Sequence, residues 1–174
     1  YFFGRKLQQE LDVPVGLIAV NQGNTAIEVW MREDLVTSDQ ELYDNAMIRN
    51  TPHEDGSPHK IASAYNARLY PIRNIPIAGA VWYQGENNQG FPYIYEKFLK
   101  TMVAGWRQDW NDDFDFFISQ ITPYKRDWNY QTNYSNPAMR FVQAKTSELI
   151  SKCGVEVNDD IGDINDVHPI YKQD

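Results

Sequence analysis

Three short apolar runs, each stopped by a cluster of polar, turn-forming residues, limit what this chain can fold into. Val15-Gly16-Leu17-Ile18-Ala19-Val20 ends at Asn21-Gln22-Gly23-Asn24-Thr25, and Ile77-Ala78-Gly79-Ala80-Val81-Trp82-Tyr83 ends at Gln84-Gly85-Glu86-Asn87-Asn88. Residues 114–121 run likewise into Thr122-Pro123-Tyr124. Unbroken apolar runs of this length suit strands buried on both faces. Between them the apolar period becomes that of a helix. Phe3, Leu7 and Leu11 predict an opening helix that ends before Pro14; Ile94, Phe98, Met102 and Trp106 predict a second, with Pro92 near its first turn. Asn136 and Pro137 form an N-cap and first-turn pair for a third, in which Met139, Val142, Thr146 and Leu149 share a face. A last extended stretch falls near residues 155–160. Strands alternating with helices at this spacing predict an α/β fold, a parallel sheet with helices on both faces.

With 174 residues, 42% of them hydrophobic, the chain is about one domain long. A domain of that size buries roughly 70% of its unfolded surface. The net charge of −8, without a Lys/Arg cluster interleaved with aromatics, argues against nucleic acid as a partner. Cys153 is the single cysteine, so no internal disulfide forms, and the Cys and His spacing suggests no metal site. No apolar run approaches the ~18 residues of a membrane span. The start, Tyr1-Phe2-Phe3-Gly4-Arg5-Lys6, reads as helix rather than signal peptide, which places any export signal upstream. Residues 38–74 are polar and read as a surface excursion from a single domain, with His53 and His59 in its solvated loop.

In open parallel sheets ligands bind outside the carboxyl ends of the strands, where loops and helix N-termini converge. Three polar clusters fall at such ends: residues 21–25, residues 84–88 and Asp163-Ile164-Asn165-Asp166-Val167-His168. Each alone is most often a turn or a solvated pair. Their convergence is the signal, and His168 is the candidate base. No serine stands where a nucleophile should, since Ser38, Ser57, Ser63, Ser119, Ser135, Ser147 and Ser151 all lie in other contexts.

Several of these segments are similar to one family. Val15-Gly16-Leu17-Ile18 followed by Gly23-Asn24-Thr25-Ala26-Ile27-Glu28-Val29-Trp30, then Ala80-Val81-Trp82-Tyr83-Gln84-Gly85-Glu86-Asn87-Asn88, resembles the sialate O-acetylesterase group of the SGNH (GDSL) hydrolases. Ala64-Tyr65-Asn66-Ala67-Arg68-Leu69-Tyr70-Pro71, Gly105-Trp106-Arg107 and Asp160-Ile161-Gly162-Asp163 through His168-Pro169 extend the resemblance over nearly the whole chain. It implies a three-layer, flavodoxin-like esterase domain, incomplete at both ends in residues 1–174. It also implies removal of acetyl groups from carbohydrate by a Ser nucleophile in a Gly-Gln-Ser-Asn motif. That motif would lie upstream of Tyr1, leaving this segment inactive alone.

By the same resemblance His168 is the base, the Gly23 N–H and the Gln84 amide are oxyanion donors, and Glu86 orients its neighbours. One such donor is typically worth about 3 kcal/mol of transition-state stabilisation. Two departures stand out. The acid usually found three residues before the His is Asn165 here, which leaves Asp166 or Asp163 to support the imidazole. The family's Gly-Gly-Thr is Gly23-Asn24-Thr25, which brings Asn24 into the donor set.

Trp30, Trp82, Tyr83, Tyr124 and Trp128 lie in or beside these loops as candidates for stacking on sugar, most of them suited equally to packing. Arg126 and Arg140 are candidates for a substrate carboxylate, with an ordinary surface role as the alternative. The implied partner is an acetylated sugar or glycan, with no cofactor, in a secreted, periplasmic or lysosomal setting. Two rival readings remain: a glycosidase pairing Glu86 with Asp163 or Asp166 across roughly 5 to 9.5 Å, and a non-catalytic carbohydrate-binding or pseudoenzyme segment.

Overall fold

The computed structural model describes residues 1–49, 59–123, 135–163, 165, 166 and 168. Its centre is a parallel sheet of β1 (Gly79–Tyr83), β2 (Asp115–Ser119) and β3 (Cys153–Glu156) in the order β1-β2-β3. The register sets Ala80 beside Phe116 and Trp82 beside Ile118, and Phe116 beside Cys153. Because side chains alternate across a strand, Trp82, Phe116 and Ile118 fall on one face and are buried there.

Two crossover helices cover that face: α4 (Pro92–Trp110) between β1 and β2, and α5 (Ser135–Leu149) between β2 and β3. Pro92 opens α4, where its missing N–H costs nothing, and Asn111 closes it in the left-handed conformation (φ 48°). The predicted stripe of Ile94, Phe98, Met102 and Trp106 is buried, joined by Tyr95, Leu99 and Val103. Trp30, Trp82, Trp106 and Phe116 meet edge to face in sequence, with centroids 6.0, 5.6 and 6.0 Å apart. Such pairs add about 0.5–1.5 kcal/mol each beyond area burial.

Arg107 ties the helix to the amino ends of two strands. Its guanidinium donates to the Phe114 carbonyl (3.1 and 2.9 Å) and the Ser151 carbonyl (2.8 Å), and pairs with Asp113 at 3.1 Å. A lysine keeps the charge but not the planar fork. Arg107→Lys therefore lowers unfolding stability by about 1–2 kcal/mol, read from urea denaturation; an unchanged midpoint would count against this clamp.

The structure departs from the sequence reading in several places. Residues 15–20, predicted as a strand, form no ladder with the described strands, and Leu17 and Ile18 are exposed. α1 (Phe2–Leu11) forms as predicted but leaves Phe2, Phe3 and Leu11 exposed. The parallel sheet with its crossover helices is the predicted α/β fold, with α4 and α5 packed on one face. Val81, Tyr83 and Phe117 on the opposite face stand about half exposed, although the apolar runs suit burial on both sides.

Residues 38–74 are not merely a surface excursion. α3 (Gln40–Arg49) follows the short helix α2 (Glu33–Thr37), and Leu42, Ala46, Ala62, Ala64, Tyr65 and Leu69 all enter the core. Their apolar residues are spaced by turns of helix within a polar surround, so composition alone hides them. His59 is half-buried, while His53 lies outside the described residues. α5 begins at Ser135, one residue before the predicted cap, and the Asn136 amide instead donates to the Thr122 carbonyl at 3.0 Å. No described helix is long and apolar enough to cross a membrane.

Candidate active site

Two of the three predicted polar clusters meet at the carboxyl end of β1. The turn after residues 15–20 is fixed from within: the Thr25 hydroxyl donates to the Gln22 carbonyl (2.9 Å) and accepts from the Trp30 indole (3.0 Å). Arg68 holds the Gln22 side chain at 3.2 Å. Asn24 adopts the left-handed conformation at φ 57°, which asparagine tolerates better than most residues. Its side-chain oxygen accepts from the Asn87 amide at 3.3 Å, joining the two loops.

The second loop rests on a buried polar network. Gln84 donates through Nε2 to the Thr25 carbonyl (3.0 Å) and to Asn88 Oδ1 (2.7 Å), while its Oε1 accepts from the Tyr95 hydroxyl at 2.9 Å. Asn88 Oδ1 also accepts from the Ile27 N–H (3.0 Å), and its amide donates to Glu28, which is fully buried. Gln143 of α5 donates to the Gln84 carbonyl (2.8 Å) and accepts from the Ile121 N–H (3.1 Å). Burial pushes the Tyr95 hydroxyl far above its usual range, so it is a fixed neutral donor.

Gly85 fits this packing because it has no side chain. At φ 158° a Cβ would lie 2.8 Å from Ile121 Cγ2 and 3.1 Å from Gln143 Nε2. The turn Glu86–Asn88 then leads into α4. Burial, then the charge of Glu86, raises the Tyr83 hydroxyl above its ordinary value.

This geometry changes the part assigned to Gln84. Both hydrogens of its amide are already committed, so in this arrangement the side chain holds the loop and offers no free N–H. Gly23 is different. It is exposed, a Cβ there would meet nothing within 4 Å, and no described residue accepts from its backbone N–H. Thr25, Glu28, Asn88, Tyr95 and Gln143 were missed as network members. Gln143 had a signal: it lies four residues after the buried Met139, so a polar group sits on an apolar helix face.

The third cluster forms a turn of its own. Asp163 and Asp166 make an isolated bridge, Asp163 Oδ1 accepts from the Asn165 N–H (2.9 Å), and Asp166 Oδ1 accepts from the His168 backbone N–H (2.8 Å). His168 is exposed. Asp166 thus braces the backbone that carries the histidine, and no hydrogen bond from the imidazole to its carboxylate is present among the described residues. Nor does any described hydrogen bond link this turn to Gln84. Just before it, Gly162 lies so close to Pro123 that a Cβ would come within 2.5 Å of the ring, which fixes the turn over the carboxyl end of β2.

Other candidates fall elsewhere. Trp30 and Trp82 are core residues, at 5% and 7% exposure, and unavailable to a sugar. Arg140 pairs with Asp159 and donates to Gln120 (3.3 Å), clamping α5 to the loop after β3. Tyr124, Arg126 and Trp128 lie outside the described residues. Among the described residues no group of three or more His, Cys, Asp or Glu side chains is placed to hold a metal ion.

A parallel α/β sheet with polar loops gathered at its carboxyl edge is the architecture of a small-molecule enzyme site. The sequence model of a carbohydrate esterase family, the sialic acid-specific acetylesterases, matches residues 1–166, and the chain belongs to that family. It is 26% identical to rat (Rattus norvegicus) sialate O-acetylesterase over 159 residues, covering 71% of this chain and 29% of the relative. The mouse (Mus musculus) sialate O-acetylesterase is 23% identical across 99% of this chain and 39% of its own length. The crystal structure of a carbohydrate acetylesterase from Xanthomonas citri superposes with a TM-score of 0.84 at 26% identity, covering 99% of this chain and 37% of that one. The chain therefore spans well under half the length of these relatives.

Proposed function

We propose that this chain is the oxyanion-loop and histidine-bearing part of a carbohydrate O-acetylesterase acting on acetylated sialic acids or related glycans. The observation that carries this reading is the buried network that holds the Gly23 and Gln84 loops together, in a chain of the acetylesterase family. A serine from the part of the relatives' length that this chain does not span attacks the acetyl carbonyl, and His168 takes its proton. The oxyanion forms against the Gly23 N–H. Gln84 joins as second donor by exchanging its bond to the Thr25 carbonyl for one to the oxyanion, and Asn24 and Glu86 hold the loop edges.

Collapse of the tetrahedral intermediate breaks the bond to the sugar oxygen, which receives the proton from His168. Water then attacks the acyl-serine with His168 again as base, releasing acetate. Asp166 supports the base by fixing the backbone of its turn. A glycan substrate suits the secreted, periplasmic or lysosomal setting that the family resemblance implies. The test is release of acetate from 9-O-acetylated sialic acid and from acetylated xylo-oligosaccharide by the intact protein. Acetate without new reducing ends is the expected result. Cleavage of glycosidic bonds, or no release from either substrate, would overturn the proposal.

A further inference from the structure

With Trp30 and Trp82 inside the core, a sugar ring needs another surface to lie on. The start of α4 offers one. Phe91 closes the turn that follows Gln84, its N–H donating to the Asn88 carbonyl at 2.8 Å, and Tyr93 follows on the first turn of the helix. Tyr93 is 68% exposed as a residue, yet its side chain is held at two points. Its edge meets Phe91 with centroids 6.3 Å apart and planes at 62°, and its hydroxyl donates to Asn45 Oδ1 at 2.8 Å.

Asn45 is itself fixed, since its amide donates to the Glu41 carbonyl at 2.9 Å. Lys97 meets Asp39 and Glu41 further along, so α3 runs antiparallel to α4 and its carboxyl end arrives beside Tyr93. Long solvated side chains ordinarily keep their rotamer freedom. Here that freedom has been removed without burying the ring, so an incoming partner meets a surface already ordered. The apolar C–H face of a pyranose matches an aromatic ring, and the polar rim of the sugar matches a neighbouring amide and hydroxyl.

We propose that Tyr93, braced by Phe91 and Asn45, is a carbohydrate-stacking subsite at the rim of the active site, taking a pyranose ring of the acetylated glycan. This rests on the acetylesterase reading above. The test compares the intact enzyme with Tyr93→Ala on three substrates: 9-O-acetylated sialyllactose, acetylated xylo-oligosaccharide and 4-nitrophenyl acetate. On whichever glycan the parent enzyme hydrolyses faster, kcat/KM falls about 5- to 10-fold, mainly through KM. The aryl acetate, which has no sugar ring, stays within about twofold, and Tyr93→Trp restores the glycan rate.

Equal losses on glycan and aryl acetate would overturn the subsite, because they would make Tyr93 a support for the loop. Unchanged rates on all three substrates would overturn it as well. If the parent enzyme releases acetate from neither glycan, the acetylesterase reading is what fails. Calorimetric binding of the same two glycans then decides the subsite: binding lost in Tyr93→Ala sustains it, and no binding, or equal binding by both proteins, overturns it.

Discussion

His168→Ala in the intact enzyme lowers kcat/KM for acetyl-ester hydrolysis by about 10³-fold, within the roughly 10² to 10⁴ that a positioned general base contributes. Stability changes by less than about 0.5 kcal/mol, because the side chain is exposed. The pair of measurements separates loss of chemistry from loss of fold. A variant with near-native turnover would remove His168 from the mechanism. The companion change tests what Asp166 does. Its Oδ1 accepts from the His168 backbone N–H, and an asparagine side-chain oxygen accepts the same bond. Asp166→Asn therefore keeps most activity and Asp166→Ala loses more. Equal, large losses in both would instead point to a carboxylate charge acting on the imidazole.

The fold was legible where packing follows the local period. Ile94, Phe98, Met102 and Trp106 repeat every fourth residue, and all four are buried in α4. The apolar runs at 77–83 and 114–121 contain β1 and β2. The run at 15–20 has the same composition but gains no ladder among the described residues, and composition cannot report whether a partner strand is at hand. The core contributed by Leu42, Ala46, Ala62 and Tyr65 was hidden for a different reason. Their polar neighbours outnumber them, so the average over residues 38–74 is polar while one side of each turn is not.

The candidate site was legible as a place more than as a set of roles. The loops that carry Gly23 and Asn24, and Gln84 and Glu86, are joined at the carboxyl end of β1 by the Gln84–Thr25 and Asn87–Asn24 hydrogen bonds. What Gln84 bonds to was not readable, because Thr25, Tyr95 and Gln143 reach it from three other segments across as many as 59 residues of sequence. Hydrogen-bond partners at that separation leave no local pattern. The aromatic candidates show the same limit: an indole beside a loop serves core or ligand equally well, and burial alone sends Trp82 to the core and leaves Tyr93 in solvent.

The largest stability loss at the site comes from Asn88, not from the residue next to it. Asn88 is 1% exposed and satisfies the Ile27 N–H, a Gln84 N–H and Glu28 together. Alanine leaves those groups buried with fewer partners, and each orphan costs about 1–3 kcal/mol. Relaxation recovers part of the sum, so Asn88→Ala lowers unfolding stability by about 3–5 kcal/mol, read from urea denaturation of the intact protein. Asn87→Ala loses one long hydrogen bond at the surface and costs less than about 0.5 kcal/mol. A loss under about 1 kcal/mol at Asn88 would mean that water enters and replaces the amide, and that the network is not what holds the loop. If the network does hold it, Asn88→Ala at temperatures where the protein stays folded still releases Gln84 from its anchor. Under the proposed mechanism acetyl-ester turnover then falls more steeply than in Asn87→Ala, because the proposed oxyanion donors are no longer fixed before the substrate arrives.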